Sequence, residues 1–184
     1  MIIRSHDCPP KLWKNGLGRT REIAVDPPGA GIDDFLWRVS VAEVDSAAPF
    51  SAFPGIDRCI ALLDGAGFTM TLDGARRHAL TVPFEPFAFP GEARVDVALT
   101  GGATRDFNLM LRRGAVRGGV EVQRGAGTRS IDPAVALVYC AHGTLGCSAG
   151  ELRAGDAWRP GDERRLELRR DAVALIARIE PVGR

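Results

Sequence analysis

The sequence predicts an all-β protein, and three observations carry that reading. Apolar and polar residues alternate over short runs, Gly and Pro punctuate those runs, and helical periodicity is nearly absent. The runs that alternate are Ile2 to Ser5, Glu22 to Val25, Phe35 to Val44, Arg58 to Leu63, Phe68 to Leu72, Ala93 to Leu99, Phe107 to Arg112, Val120 to Gln123, Val135 to Ala141, Arg165 to Leu168 and Ala172 to Ile179. Turns such as DPPGAG, LDGAG, FPGE and RPGDE separate them, which is the pattern of a sandwich or barrel.

A weak internal repeat refines the architecture. From Ala61 to Leu99 the chain gives an apolar strand, a Gly turn, a second strand, Gly74, an aromatic pair ending at Phe89, the turn Pro90-Gly91-Glu92 and a further strand. From Ala136 the same parts recur as an apolar strand, Gly143, Gly150, Trp158, Pro160-Gly161-Asp162 and Arg165 to Leu168. Two small jelly-roll barrels packed side by side explain the repeat. The seam is placed in the Gly- and Arg-rich stretch Arg113 to Ser130, giving an N-terminal barrel over 1–114 and a C-terminal barrel over 115–184 that exchanges strands with it.

Composition limits the function. A chain of 184 residues builds one substantial core or two small barrels, not two ordinary independent domains. No segment approaches the roughly 20 apolar residues that span a bilayer, and the start MIIRSHDCPP lacks a signal-peptide pattern, so a cytoplasmic protein is expected. A formal net charge of +1 gives no electrostatic reason to expect nucleic acid or a membrane as partner. Of the 24 basic residues only Lys11 and Lys14 are lysines, and both flank Trp13. Cys8, Cys59, Cys140 and Cys147 form no C-x-x-C pair and read as reduced, mostly buried residues. Cys140, His142 and Cys147 are close in sequence but have no fourth ligand nearby, and His6, His78 and His142 form no His-x-His pair. Neither a metal nor another cofactor is expected.

Two strands carry polar faces. In FLWRVSVAEV, Phe35, Trp37, Val39 and Val41 share one face and Arg38, Ser40 and Ala42 the other. In RDFNLMLRR, Phe107, Leu109 and Leu111 oppose Asp106, Asn108, Met110 and Arg112. Alternation alone leaves two readings open, because a polar face meets either water or a polar lumen. Gly16 and Gly18 read as turn residues, and Asp57 and Arg58 either pair with each other beside Pro54-Gly55 or contribute to a site. Trp37 reads as core. Pro86 to Pro90 reads as a rigid connection, with Phe84, Phe87 and Phe89 closing the barrel end.

The run KLWKNGLGRTREIAV places Trp13, Asn15, Gly16, Gly18, Thr20, Glu22 and Ile23 within eleven residues. Together with FLWRVSVA, PFSAFPGIDR, LLDGAG and RDFNLMLRRG, it resembles the HutD/Ves family of bacterial cupin-like proteins from about residue 8 to residue 114. The resemblance implies a bicupin fold and a polar lumen. The ligand-binding residues it points to are Trp13, Asn15, Thr20, Glu22, Arg38, Ser40, Arg58, Asn108 and Arg112. Arg38 would clamp a carboxylate with two of its donors, Asn108 would serve an amide or formyl group, and Trp13 would supply an apolar wall. The HutD branch implies regulation of histidine utilisation through a small acidic intermediate such as formylglutamate, whereas the Ves branch is associated with stress responses. The other reading is a metal-independent isomerase, epimerase or hydrolase acting on a small carboxylate, with Glu22 or Asp106 as general base. Cupin barrels often pair edge to edge, so a homodimer is compatible with the fold.

Overall fold

The computed structural model describes residues 1–13 and 16–183. Eighteen strands follow one another: β1 (Ile2–Ile3), β2 (Pro10–Leu12), β3 (Gly18–Asp26), β4 (Trp37–Val44), β5 (Ile56–Asp64), β6 (Phe68–Leu72), β7 (Arg76–Leu80), β8 (Phe87–Pro90), β9 (Val95–Leu99), β10 (Thr104–Arg112), β11 (Val116–Arg124), β12 (Gly127–Ser130), β13 (Val135–His142), β14 (Thr144–Cys147), β15 (Gly150–Arg153), β16 (Ala157–Trp158), β17 (Arg165–Leu168) and β18 (Val173–Pro181). A single 3-10 turn, Ser5–Asp7, is the only helical element among the described residues. Among the described residues no helix is long and apolar enough to cross a membrane.

The chain forms two units. Pro9–Val116 holds a six-stranded sheet, β2-β3-β4-β10-β5-β8, and a three-stranded sheet, β7-β6-β9. Their inner faces share one core, in which Ala42, Ile60, Leu62 and Phe89 of the larger sheet meet Phe68, Met70, Leu72, Leu80 and Val95 of the smaller. Met1–Cys8 with Arg117–Arg184 holds the sheets β1-β16-β13-β18-β11 and β12-β17-β14-β15. Their shared core contains Val138, Cys140, Trp158, Ala174 and Ile176 from the first sheet and Leu145, Leu152, Leu166 and Leu168 from the second. Each core is the stripe of alternate residues that a two-sheet layer must bury.

The repeat seen in the sequence is a repeat of strand pairing. β5 pairs with β8 and β10, and β6 pairs with β7 and β9. In the second unit β13 pairs with β16 and β18, and β14 pairs with β15 and β17. Six consecutive strands are thus used twice in the same order.

Two sequence expectations need correction. The first eight residues do not belong with 9–114: β1 pairs with β16, so the amino-terminal segment completes the C-terminal unit. Pro86 to Pro90 is not a bare connection, because Phe87–Pro90 is a strand hydrogen-bonded to β5. The short edge strand Arg76–Leu80 escapes a periodicity reading because three of its five residues are exposed, Arg76 and Arg77 among them, as suits an edge.

Asp156 fastens the amino-terminal segment. Its carboxylate accepts from Arg4 Nη1 at 2.8 Å, the Ser5 amide at 3.0 Å and the Arg153 amide at 3.1 Å. Burial alone would raise its pKa, but the amides of Ser5 and Arg153 and the Arg4 guanidinium outweigh that and hold it below the ordinary value. Its contribution to stability is therefore present above the unfolded pKa of about 3.9 and lost as the pH falls through the lower folded value. Asp156→Ala is expected to cost about 2 kcal/mol at neutral pH, read from the urea midpoint, and the difference from wild type should shrink below about pH 4.

Candidate functional site

β4 and β10 lie in the middle of the six-stranded sheet and are buried on both faces. Trp37, Val39, Val41, Phe107, Leu109 and Leu111 are buried on one side. On the other, Ser40, Asn108 and Asp106 are 2%, 6% and 1% exposed. The polar face is therefore an inner face and not a wet exterior. Register arranges it in rows across three strands: Arg38, Met110 and Arg58; Ser40, Asn108 and Ile60; Ala42, Asp106 and Leu62.

A cavity of about 550 Å³ opens over these rows. It is lined by Arg38, Ser40, Arg58, Asp106, Asn108 and Met110 from the sheet, with Lys11, Leu12, Trp13 and Thr20 on one side and Phe50 and Phe53 on the other. The β2–β3 turn sets the position of Trp13. The Trp13 amide donates to the Gly18 carbonyl at 3.0 Å, and Gly16 takes the left-handed conformation at φ +69°. A Cβ on Gly18 would lie 2.7 Å from the Glu43 carbonyl and 3.0 Å from the Trp13 ring, so only glycine lets the indole settle there. Trp13 Nε1 then donates to Thr20 Oγ1 at 2.7 Å.

Arg38 and Arg58 are held in different ways. Arg38 Nε donates to Glu22 Oε2 at 2.8 Å and Nη1 reaches Ser40 Oγ at 3.5 Å, so this cation arrives with a counter-charge. Arg58 is 6% exposed, and its guanidinium carbon lies 5.2, 5.4 and 4.9 Å from the ring centroids of Phe50, Phe53 and Phe89. Its Nε has no hydrogen-bond partner, and among the described residues no carboxylate stands within ion-pair distance of it. Burial lowers the Arg58 pKa to about 10, against the opposing pull of Asp106, so the group stays charged at neutral pH. Both Asp106 oxygens and Asn108 Oδ1 are also buried without partners. Burial pushes the Asp106 carboxyl up to about 8, although Arg58 draws it down.

Most of the sequence-predicted residues gather here, with three exceptions. Trp13, Thr20, Arg38, Ser40, Arg58 and Asn108 line the cavity. Glu22 serves it indirectly through Arg38. Asn15 lies outside the described residues. Arg112 is the correction: its Nε donates to the Phe35 carbonyl at 2.7 Å, its Nη2 to the Asp33 carbonyl, and its guanidinium carbon sits 5.5 Å from the centre of the Phe35 ring. It shares the strand face of Asn108 but lies past the cavity, tying down the segment before β4. Asp57 and Arg58 do not pair, because neighbouring strand residues point oppositely; Asp57 binds Arg113 instead.

Sequence reasoning left Phe50, Phe53 and Met110 out of the site and offered Asp106 only as a general base in the catalytic reading. Asp106 and Met110 were legible as the neighbours of Asn108 at period two. Phe50 and Phe53 sit in an irregular connection, where no period applies. No cluster of three or more His, Cys, Asp or Glu side chains suited to a metal occurs among the described residues. Cys140 points into the C-terminal core, and burial pushes its thiol up to about 12.

A partly polar cavity on the inner face of the larger sheet of a two-sheet β unit fits a cupin-like protein, and the comparisons with known proteins narrow that class. Hazelnut vicilin shares the fold alone, at a TM-score of 0.63 and 9% identity over 99% of this chain and 87% of its own. The HutD family profile matches residues 5–176, and the chain belongs to the HutD family. It is 45% identical over 109 residues to an uncharacterised 21.2 kDa protein of the hutC 3' region of Pseudomonas putida, covering 59% of this chain and 56% of that one. It is 45% identical over 115 residues to protein Ves of Cronobacter sakazakii, covering 62% and 61%. The match thus spans somewhat over half the length of these two relatives. HutD from Pseudomonas fluorescens, solved in a formate condition, superposes with a TM-score of 0.85 at 28% identity, covering 100% of this chain and 99% of its own.

The absence of a counter-charge at Arg58 has a measurable consequence. Replacing a buried, unpaired cation with an apolar side chain of similar length removes a desolvation cost. Arg58→Met is expected to leave stability unchanged or raise it by up to about 2 kcal/mol, read by denaturant unfolding of the ligand-free protein. A loss of several kcal/mol would mean that the guanidinium holds the fold together.

Proposed function

We propose that the protein is a small-molecule-binding regulator of the HutD type, modulating histidine utilisation by holding a small acidic intermediate such as formylglutamate in the cavity of the Pro9–Val116 unit. The observation that carries this reading is Arg58, a buried cation on the cavity wall with no carboxylate at ion-pair distance among the described residues. A ligand carboxylate would supply the missing charge, with Arg38 as a second donor whose Glu22 partner fixes its orientation. This assignment moves the principal anion anchor from Arg38, the sequence candidate, to Arg58. Formate, the smallest carboxylate, is a natural minimal probe, and it names the condition in which the related Pseudomonas fluorescens HutD was solved.

A catalytic reading is favoured by one group, Asp106, whose raised carboxyl would exchange a proton with a substrate near neutral pH. The two readings separate by product analysis in heavy water: a binding protein returns formylglutamate unaltered after prolonged incubation, whereas an isomerase or hydrolase changes its proton NMR spectrum and an epimerase exchanges its Cα proton for deuterium.

Thermal unfolding of the chelator-treated protein with histidine, urocanate, formiminoglutamate, formylglutamate, glutamate and formate tests the proposal. Formylglutamate at about a hundred times Kd should stabilise the fold by roughly 2.7 kcal/mol, and Arg58→Met should abolish the shift. No shift with any of these compounds, or an equal shift in Arg58→Met, would overturn it.

A further inference from the structure

We propose that Asp106 enters the site as a neutral carboxylic acid and, with Asn108, reads an amide-like group on the ligand, donating its O–H to a ligand oxygen while Asn108 Oδ1 accepts a ligand N–H. The inference rests on the reading of the cavity as a carboxylate site and adds which protonation state of Asp106 holds the amide end of the ligand.

The geometry begins with burial. Asp106 is 1% exposed, both of its oxygens lack a hydrogen-bond partner, and it faces the cavity beside Asn108, whose Oδ1 is likewise buried and unpartnered. Unsatisfied buried polar atoms are rare in folded proteins, and three of them on one cavity wall mark where a ligand's polar atoms belong. Their spacing is informative. Two residues apart on one strand face are separated by about 6.6 Å. A trans amide with an O–H···O bond at its oxygen and an N–H···O bond at its nitrogen spans roughly 7 to 8 Å between the two protein oxygens. An amide lying along β10 would therefore satisfy both side chains, while the ligand's carboxylate reaches the next row at Arg58.

Charge requires the neutral form. Arg58 projects from β5, Arg38 from β4, Glu22 from β3 to bind Arg38, and Lys11 from β2 lines the same cavity. Facing them, β6 presents Phe68 and Met70 and β9 presents Val95, while β7 presents His78, stacked on Phe87 with ring centroids 3.6 Å apart. With Glu22 committed to Arg38, an ionised Asp106 would offset the charge of Arg58 and repel an incoming carboxylate. A protonated Asp106 leaves Arg58 free to receive it. Desolvation already holds the acid form to about pH 8, and a bound carboxylate beside it would strengthen that preference.

The test has two arms. Infrared difference spectra of ligand-free wild type and Asp106→Asn, with aspartate carbon-13 labelling, should show at about pH 7 a carboxylic-acid carbonyl band that the variant lacks and that fades above about pH 8. Calorimetric titration with formylglutamate should give a Kd that is level from about pH 6 to 7 and rises by up to tenfold per pH unit above about pH 8, and Asp106→Asn should remove this slope. Glutarate, which lacks the amide, should bind more weakly than formylglutamate in wild type, and Asn108→Leu should narrow that preference. A missing acid band, or an unchanged slope in Asp106→Asn, overturns the inference. Its failure is distinguishable from failure of the proposed function, because the infrared arm uses no ligand: an intact band without binding of any hut-related acid would reject the ligand class while leaving the neutral Asp106 in place.

Discussion

A guanidinium packed against three phenyl rings, with no carboxylate within ion-pair distance among the described residues, is the constraint around which the N-terminal unit is arranged. Desolvating such a cation is costly, and the three cation–π contacts of Arg58 offset only part of the loss. A sequence under selection for stability alone would place an apolar residue there. The neighbouring groups follow the same logic. Arg38 is neutralised by Glu22, Asp106 is held toward its uncharged form, and Arg58 is left as a buried cation with no ion-pair partner among the described residues.

The duplicated topology provides an internal control. The inner faces of β13 and β18 pair Val138 with Ile176 and Cys140 with Ala174, and these side chains close into a core with Trp158 and Leu145. The inner faces of β5 and β10 pair Ile60 with Asn108 and Leu62 with Asp106 instead. The same set of strand pairings thus encloses apolar packing in one unit and a partly polar cavity in the other. The backbone does not dictate the cavity. Its side chains do, and the difference rests largely on the polar residues of β4, β5 and β10.

Much of this was legible in the sequence, because β structure writes its faces at period two. The alternation in β4 and β10 identified which residues travel together, and the repeat of Gly, aromatic and Pro-Gly positions anticipated the repeated pairing. Alternation could not say whether Arg38, Ser40 and Asn108 meet water or a lumen, since that depends on what covers the strand. Nor could it show where along the strand the cavity ends, which is why Arg112 was grouped with Asn108 although it binds the carbonyls of Phe35 and Asp33. The phenyl rings around Arg58 were hidden for another reason. Phe89 arrives across a strand pair, and Phe50 and Phe53 come from an irregular segment whose amides are tied to Val95 and Gly91, a long-range relation that no local pattern encodes. For the same reason the strand exchange expected between the barrels does not reveal which strand crosses, since the partner of β1, β16, lies more than 150 residues away.

The account rests on a carboxylate docking at Arg58, and nitrogen-15 NMR of the arginine Nε–Hε groups during titration with formylglutamate locates that contact most directly. The account predicts that the Arg58 resonance, assigned by its loss in Arg58→Met, shifts saturably and by more than any other arginine signal. A saturable response elsewhere, with the Arg58 resonance unmoved, would contradict it.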